Sequence, residues 1–171
     1  MRVARVVSVL LLTATLCAQP AAPQVDLLNK MIGDWSVEGD VRGKPVHHII
    51  SAEWILDRQF VRLHEKTDDG APPSESRYDA YWFIGYDAVS ERYVAHLFDI
   101  FGPRFSETLG YGTRFRDEIR FVYEYPDGPF HTTYRWLEKD GTWEWILEQK
   151  EKDTWAPFAH FKLTRLPSKA N

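Results

Sequence analysis

Cysteine is nearly missing from this chain. Cys17 is the one cysteine in 171 residues. A disulfide framework within the chain is thereby excluded, together with the Cys-rich zinc and iron–sulfur sites. Long apolar runs are missing too. The longest, residues 6–16, falls well short of the ~20 residues that a membrane-spanning helix needs. Nor is there a surplus of positive charge. Lys and Arg number 21 against 25 Asp and Glu, which leaves −4 at neutral pH. That balance argues against a nucleic-acid partner.

What the chain has in quantity is aromatic side chains. Seven Trp, eight Tyr and ten Phe make up 15 % of it, within 44 % hydrophobic and 27 % charged residues. Disordered segments lack aromatics, and coiled coils are built on Ala, Leu, Glu and Lys, so neither class fits. The length suits one globular domain at the usual ~100–200 residues.

Residues 1–18, MRVARVVSVLLLTATLCA, carry Arg2 and Arg5 ahead of the apolar stretch and small residues at its end. That order predicts a signal peptide cleaved after Ala18, and export to the periplasm or medium. Cys17 offers a lipoprotein alternative, but the bulky Leu16 precedes it where a small residue is wanted. Cleavage after Ala18 would leave a chain with no cysteine. Loss of Arg2 and Arg5 would leave 19 basic residues against 25 acidic, or −6. Residues 19–24, QPAAPQ, read as a Pro/Ala linker, and residues 167–171 read as a tail. One folded unit is expected over 25–166.

That unit begins with a short helical pattern over Val25–Ile32, closed by Gly33. The period then changes to two. Alternation recurs over 35–43, 46–56, 59–66, 77–86, 92–101, 104–113, 118–125, 130–138, 143–152 and 159–166. Asp57-Arg58, Thr67–Ser74, Pro126–Pro129 and Lys139–Thr142 punctuate the strands as turns or loops. About ten antiparallel strands must hide their edges in a closed barrel or a two-sheet sandwich. Consecutive hairpins without a long crossover favour an all-β up-and-down barrel.

Gly33-Asp34-Trp35 resembles the G-x-W that opens the first strand of lipocalins and their calycin relatives. Arg165 resembles the arginine those folds lay across that tryptophan, a stacking that would seal the barrel floor. Gly85-Tyr86-Asp87, Tyr93-Val94, Asp99, Gly102 and Gly110 resemble the hairpin of the bacterial domain-of-unknown-function 1579 family. The resemblance implies an exported lipocalin-like barrel with a small apolar ligand, and it supplies no catalytic residues. His160 also sits where nitrobindin, a more distant resemblance, holds haem through a histidine on its last strand. Haem b through His160 is the implied cofactor alternative.

Other constellations are thin. His47 and His48 are adjacent on a strand and point to opposite faces, so they cannot chelate one metal together. No G-x-S-x-G elbow supplies a nucleophile. Gly110-Tyr111-Gly112 begins a dinucleotide fingerprint, but Phe115 stands in place of the third glycine and no helix follows. Glu53, Asp79, Asp99 and Glu107 fall on strands, and Asp99 shares a face with Tyr93 and Leu97. An inward Asp99 would orient a ligand, or act as acid or base on a lipid-like substrate.

The expectation is therefore an exported lipocalin-like protein that binds a small hydrophobic or amphipathic molecule. Trp54, Tyr81, Phe83, Asp99, Trp145 and His160 are its candidate ligand contacts, with Phe98 and Trp143 as further possible lining. Gly33, Trp35 and Arg165 would close the barrel. A fully packed structural barrel is the remaining alternative, and a one-residue slip in strand parity would exchange every face.

Overall fold

The computed structural model describes residues 24–167. The expected signal segment with Cys17, most of the linker and the tail beyond Pro167 lie outside the described residues. The described chain runs α1 (Val25–Met31), β1 (Gly33–Val41), β2 (Lys44–Ile55), β3 (Phe60–Thr67), β4 (Asp79–Asp87) and β5 (Arg92–Asp99). It continues with α2 (Pro103–Ser106), β6 (Leu109–Phe115), β7 (Glu118–Tyr125), β8 (Gly128–Leu137), β9 (Thr142–Glu151) and β10 (Thr154–Arg165). Each strand pairs antiparallel with its sequence neighbours, and β1 pairs with β10, so the sheet closes into a ten-stranded up-and-down barrel. This is the all-β up-and-down barrel expected from the alternation, and it is consistent with a lipocalin-like fold.

Period-two patterning makes the barrel because one face of every strand is apolar. Trp35 and Val37, Ile50 and Ala52, Val61 and Leu63, Trp82 and Ile84, Phe121 and Tyr123, and Phe161 and Leu163 are all buried on the inner face. Apolar burial of this kind contributes roughly 25 cal/mol per Å² and is the main force holding the closed sheet. The tight turn at Arg42-Gly43 has φ of 50° and 75°, the left-handed conformation that matches the strand twist of a two-residue hairpin.

One element differs from expectation. The predicted sixth strand over 104–113 is instead the short helix α2 followed by β6, which starts only at Leu109. Gly102 turns the chain with φ of 88°, and Pro103 presets helical φ at the first helical position. Pro157 is tolerated inside β10 because the register shifts there, a β-bulge between Pro157 and Ala159.

The two ends of the barrel differ. At the closed end, α1 buries Leu27, Leu28 and Met31 against the core. A helix leaves its last carbonyls without intrahelical donors, and two indoles and one guanidinium supply them here through four hydrogen bonds. The Trp35 Nε1 donates to Met31 O at 2.7 Å and the Trp143 Nε1 to Lys30 O at 3.4 Å. Arg165 donates to Ile32 O at 2.7 Å and to Lys30 O at 3.2 Å, with its guanidinium 4.2 Å over the Trp35 ring. At the opposite end lie the β3–β4 loop and α2, and this end is the mouth.

Candidate functional site

The inner face changes character along the barrel axis. Toward α1 it is apolar; toward the mouth it carries titratable and hydroxyl groups. His48 on β2 and Glu65 on β3 are buried, and His48 Nδ1 lies 2.8 Å from Glu65 Oε1. The Trp82 indole on β4 donates to Glu65 Oε2 at 3.3 Å. Above them the Tyr78 ring stacks on the His48 imidazole, with centroids 5.2 Å apart. Glu75, from the β3–β4 loop, accepts from the His47 backbone N–H at 2.9 Å, and its carboxylate lies 3.5 Å from His48 Nε2. The imidazole thus stands between one carboxylate inside the barrel and one at its rim.

The facing wall, β7 to β9, has a different make-up. Tyr123, Thr132, Tyr134 and Trp145 are buried on the inner face. Tyr123 Oη, Thr132 Oγ1, Tyr134 Oη and Trp145 Nε1 find no hydrogen-bond partner among the described residues. Such atoms are rare in folded proteins, and each costs about 1–3 kcal/mol when it stays unsatisfied. Tyr134 and Trp145 are cross-strand partners with rings 4.6 Å apart, and Tyr134 also meets the Trp82 ring edge-on at 6.4 Å. Burial, reinforced by the nearby tyrosines and Glu65, pushes the Tyr134 phenol well above its usual value. Burial does the same to Tyr123.

Room for these rings comes from β6. A Cβ on Gly110 would lie 2.4 Å from the Tyr123 ring, and one on Gly112 2.8 Å from Phe121. The two inward glycines are therefore seats for aromatic side chains, which is the structural use of the Gly110-Tyr111-Gly112 segment.

Aromatic side chains cap the mouth. Tyr78 is 6.1 Å from Phe101, Phe105 of α2 is 6.4 Å from Tyr125, and Phe130 lies between Tyr125 and Phe158 at 6.2 and 5.2 Å. Asp99 sits at this rim, half-buried, and accepts the Phe101 N–H at 2.9 Å. Burial raises its carboxyl above the ordinary range, partly offset by that hydrogen bond. Burial and the Asp99 charge push Tyr125 up to about 12. Beside Asp99, a cleft of about 440 Å³ runs between α2 and β5, lined by Phe98, Gly102, Pro103, Ser106 and Glu107.

The expected ligand contacts divide four ways. Trp145 and Trp143 are buried on the inner face, and Asp99 is on the rim. Trp54 belongs to the closed end, where its Nε1 donates to Asn29 Oδ1 at 3.0 Å beneath the Arg58 guanidinium. Tyr81, Phe83 and Phe98 face outward: Tyr81 and Phe98 are 38 % and 43 % exposed and pair across β4 and β5. Strand parity decides this, because the inner face of β4 is taken by Ala80, Trp82 and Ile84. Parity also corrects the placing of His160. Ala159, Phe161 and Leu163 point inward, so His160 is exposed on the outer wall, with Nε2 2.9 Å from Glu144 Oε1. A haem held by His160 would lie outside the barrel. Of the other strand acids, Glu53 pairs with Arg62 and Asp79 with His64 on the outer wall.

Sequence reasoning missed His48 and Glu65 as a pair, and Tyr123, Thr132 and Tyr134 as polar lining. The signal was present in phase. Glu65 follows Val61 and Leu63 at steps of two, as His48 precedes Ile50 and Ala52. Among the described residues no group of three or more metal-ligating side chains is assembled. A scan against protein-family models and a search of curated proteins both return no match.

Proposed function

We propose that the protein binds a small amphipathic molecule inside the barrel, with its polar end near the middle of the axis and its apolar end toward the aromatic mouth. The observation that carries this reading is that four of the five buried polar atoms without protein partners among the described residues lie on the inner face of β7 to β9. The fifth, Thr142 Oγ1, is at the closed end of β9. A packed structural barrel would be more stable with apolar side chains at these positions, since unpaired buried polar atoms oppose folding. A ligand that supplied the missing partners would recover that free energy on binding. Aromatic walls with a few convergent polar groups are the usual make-up of small-molecule sites.

The resemblance to the domain-of-unknown-function 1579 family and the N-terminal 1–18 segment support placing this binder outside the cytoplasm, as an exported carrier or sensor of its ligand.

Titration of the full chain with N-phenyl-1-naphthylamine, which fluoresces in apolar surroundings, tests the reading. One saturable site is expected, with quenching of tryptophan emission. Thr132→Phe, which fills the interior, should abolish binding, and Phe98→Ser on the outer wall should leave it unchanged. Absence of binding, or loss through Phe98→Ser alone, would overturn it.

A further inference from the structure

The polar atoms inside the barrel also specify the chemistry of the ligand's head. Trp145 Nε1 is the most restrictive of the four unpartnered atoms, because an indole N–H donates and never accepts. Whatever satisfies it must bring a lone pair. Tyr123, Thr132 and Tyr134 can donate or accept, so with Trp145 they form a wall that is able to give up to four hydrogen bonds. The acceptors on the opposite wall are already engaged. Glu65 takes one hydrogen-bonding contact from His48 and one from Trp82. The unfilled demand inside the barrel is therefore for an acceptor.

Charge narrows the class further. Among the described residues no lysine or arginine is buried; beside the buried tyrosines, the buried ionisable side chains are His48, Glu65 and, at the rim, Glu75. His48 lies 2.8 Å from Glu65 and 3.5 Å from Glu75, so no cationic group inside the barrel is left free for an anion, and a ligand carboxylate would meet Glu65 in a weakly screening interior. The same field acts on Tyr134, whose phenol is held neutral by burial and by Glu65 among its neighbours. A cation is disfavoured differently. It would leave the Trp145 N–H without an acceptor, and each Glu65 oxygen already takes one hydrogen-bonding contact from the protein.

We propose that the head of the ligand is an uncharged oxygen acceptor, such as a ketone or ester carbonyl, held by the Trp145 indole and the Tyr134 hydroxyl. The proposal rests on the reading that the barrel interior is a binding site. It goes further by excluding free fatty acids and alkylammonium ions as preferred ligands. The site recognises the carbonyl oxygen with neutral donors, and the aromatic mouth takes the alkyl chain.

Displacement of N-phenyl-1-naphthylamine from the full chain at pH 8 tests this with three ligands of equal chain length: 2-decanone, decanoate and decyltrimethylammonium. The ketone should displace the dye at least about tenfold more strongly than either ion. Tyr134→Phe should weaken the ketone about five- to tenfold, the usual effect of one lost hydrogen bond. It should leave the dye, which has no acceptor oxygen, within about twofold of its original affinity. That second readout separates a lost hydrogen bond from a damaged fold, which would weaken both. Trp145→Phe should repeat the pattern. Equal or stronger displacement by decanoate or decyltrimethylammonium would overturn the head-group assignment and leave the binding reading intact. So would an unchanged ketone affinity in both variants. Failure of the dye to bind would instead overturn the reading beneath it.

Discussion

At the scale of single residues, the closed end depends on Arg165. It donates to the Lys30 carbonyl in the last turn of α1 and to the Ile32 carbonyl just past it, and lies over Trp35. Arg165→Ala should cost about 1–3 kcal/mol, from two charge-assisted hydrogen bonds and a cation–π contact. Urea unfolding followed by tryptophan emission would measure it. Arg165→Lys should recover only part, because a point charge cannot serve both carbonyls and stack on the indole. Gly110 makes a second test. A methyl group there meets the Tyr123 ring, so Gly110→Ala should destabilise by about 1–3 kcal/mol, as overpacking does. In a Tyr123→Leu background the penalty should shrink, and calorimetry of the four proteins would show the coupling. Arg165 and Trp35 were legible in the sequence, since each stands at the end of a strand in a spacing with one geometric use. Glu65 and Tyr134 were harder to read. A charged residue in phase with apolar neighbours looks like a surface residue until its partner on the neighbouring strand is known, and His48 lies on β2, whose register with β3 the sequence does not show.

At the scale of elements, strand number and order followed from alternation, because period-two burial leaves few other arrangements. The failure at 104–108 has a local cause. Arg104 and Phe105 fit a strand pattern, but Pro103 after a left-handed Gly102 starts a helical turn. This short element carries Phe105 to the mouth, and the Ser106 carbonyl accepts from His96 Nε2 at 2.6 Å. Parity was the other limit. Tyr81, Phe83 and Phe98 are as aromatic as Trp82 and Trp145, and only the register of β4 and β5 separates wall from interior. Asp99, at the end of β5, gives a pH test. Its folded-state pKa is raised above the ordinary 3.8 by burial. The folded protein therefore holds this proton more tightly than the unfolded chain, and stability is lost as pH rises through the window above 3.8. Asp99→Asn keeps an oxygen for the Phe101 N–H and removes the charge. The variant should match the wild type below pH 3.8 and be the more stable at neutral pH. Denaturant midpoints across that range would check the sign; a variant less stable at pH 7 would contradict it.

At the scale of the whole molecule, the barrel is sealed by α1 and three tryptophans at one end and bounded by aromatic side chains and a rim carboxyl at the other. Between them one wall has no unpartnered buried polar side-chain atom among the described residues, and the facing wall has four on its inner face. That asymmetry is the reason to read a container where the fold alone would allow a solid core. The aromatic content of the sequence foretold a large buried interior. Its division into a sealed floor, an apolar outer patch and a polar inner wall needed the closed register. Native mass spectrometry of the full chain, isolated from the cells that make it, tests the central claim most directly. The account predicts one small-molecule adduct per chain, retained in Phe98→Ser and lost in Thr132→Phe. A bare chain mass in repeated preparations, with no uptake of N-phenyl-1-naphthylamine or 2-decanone, would contradict it.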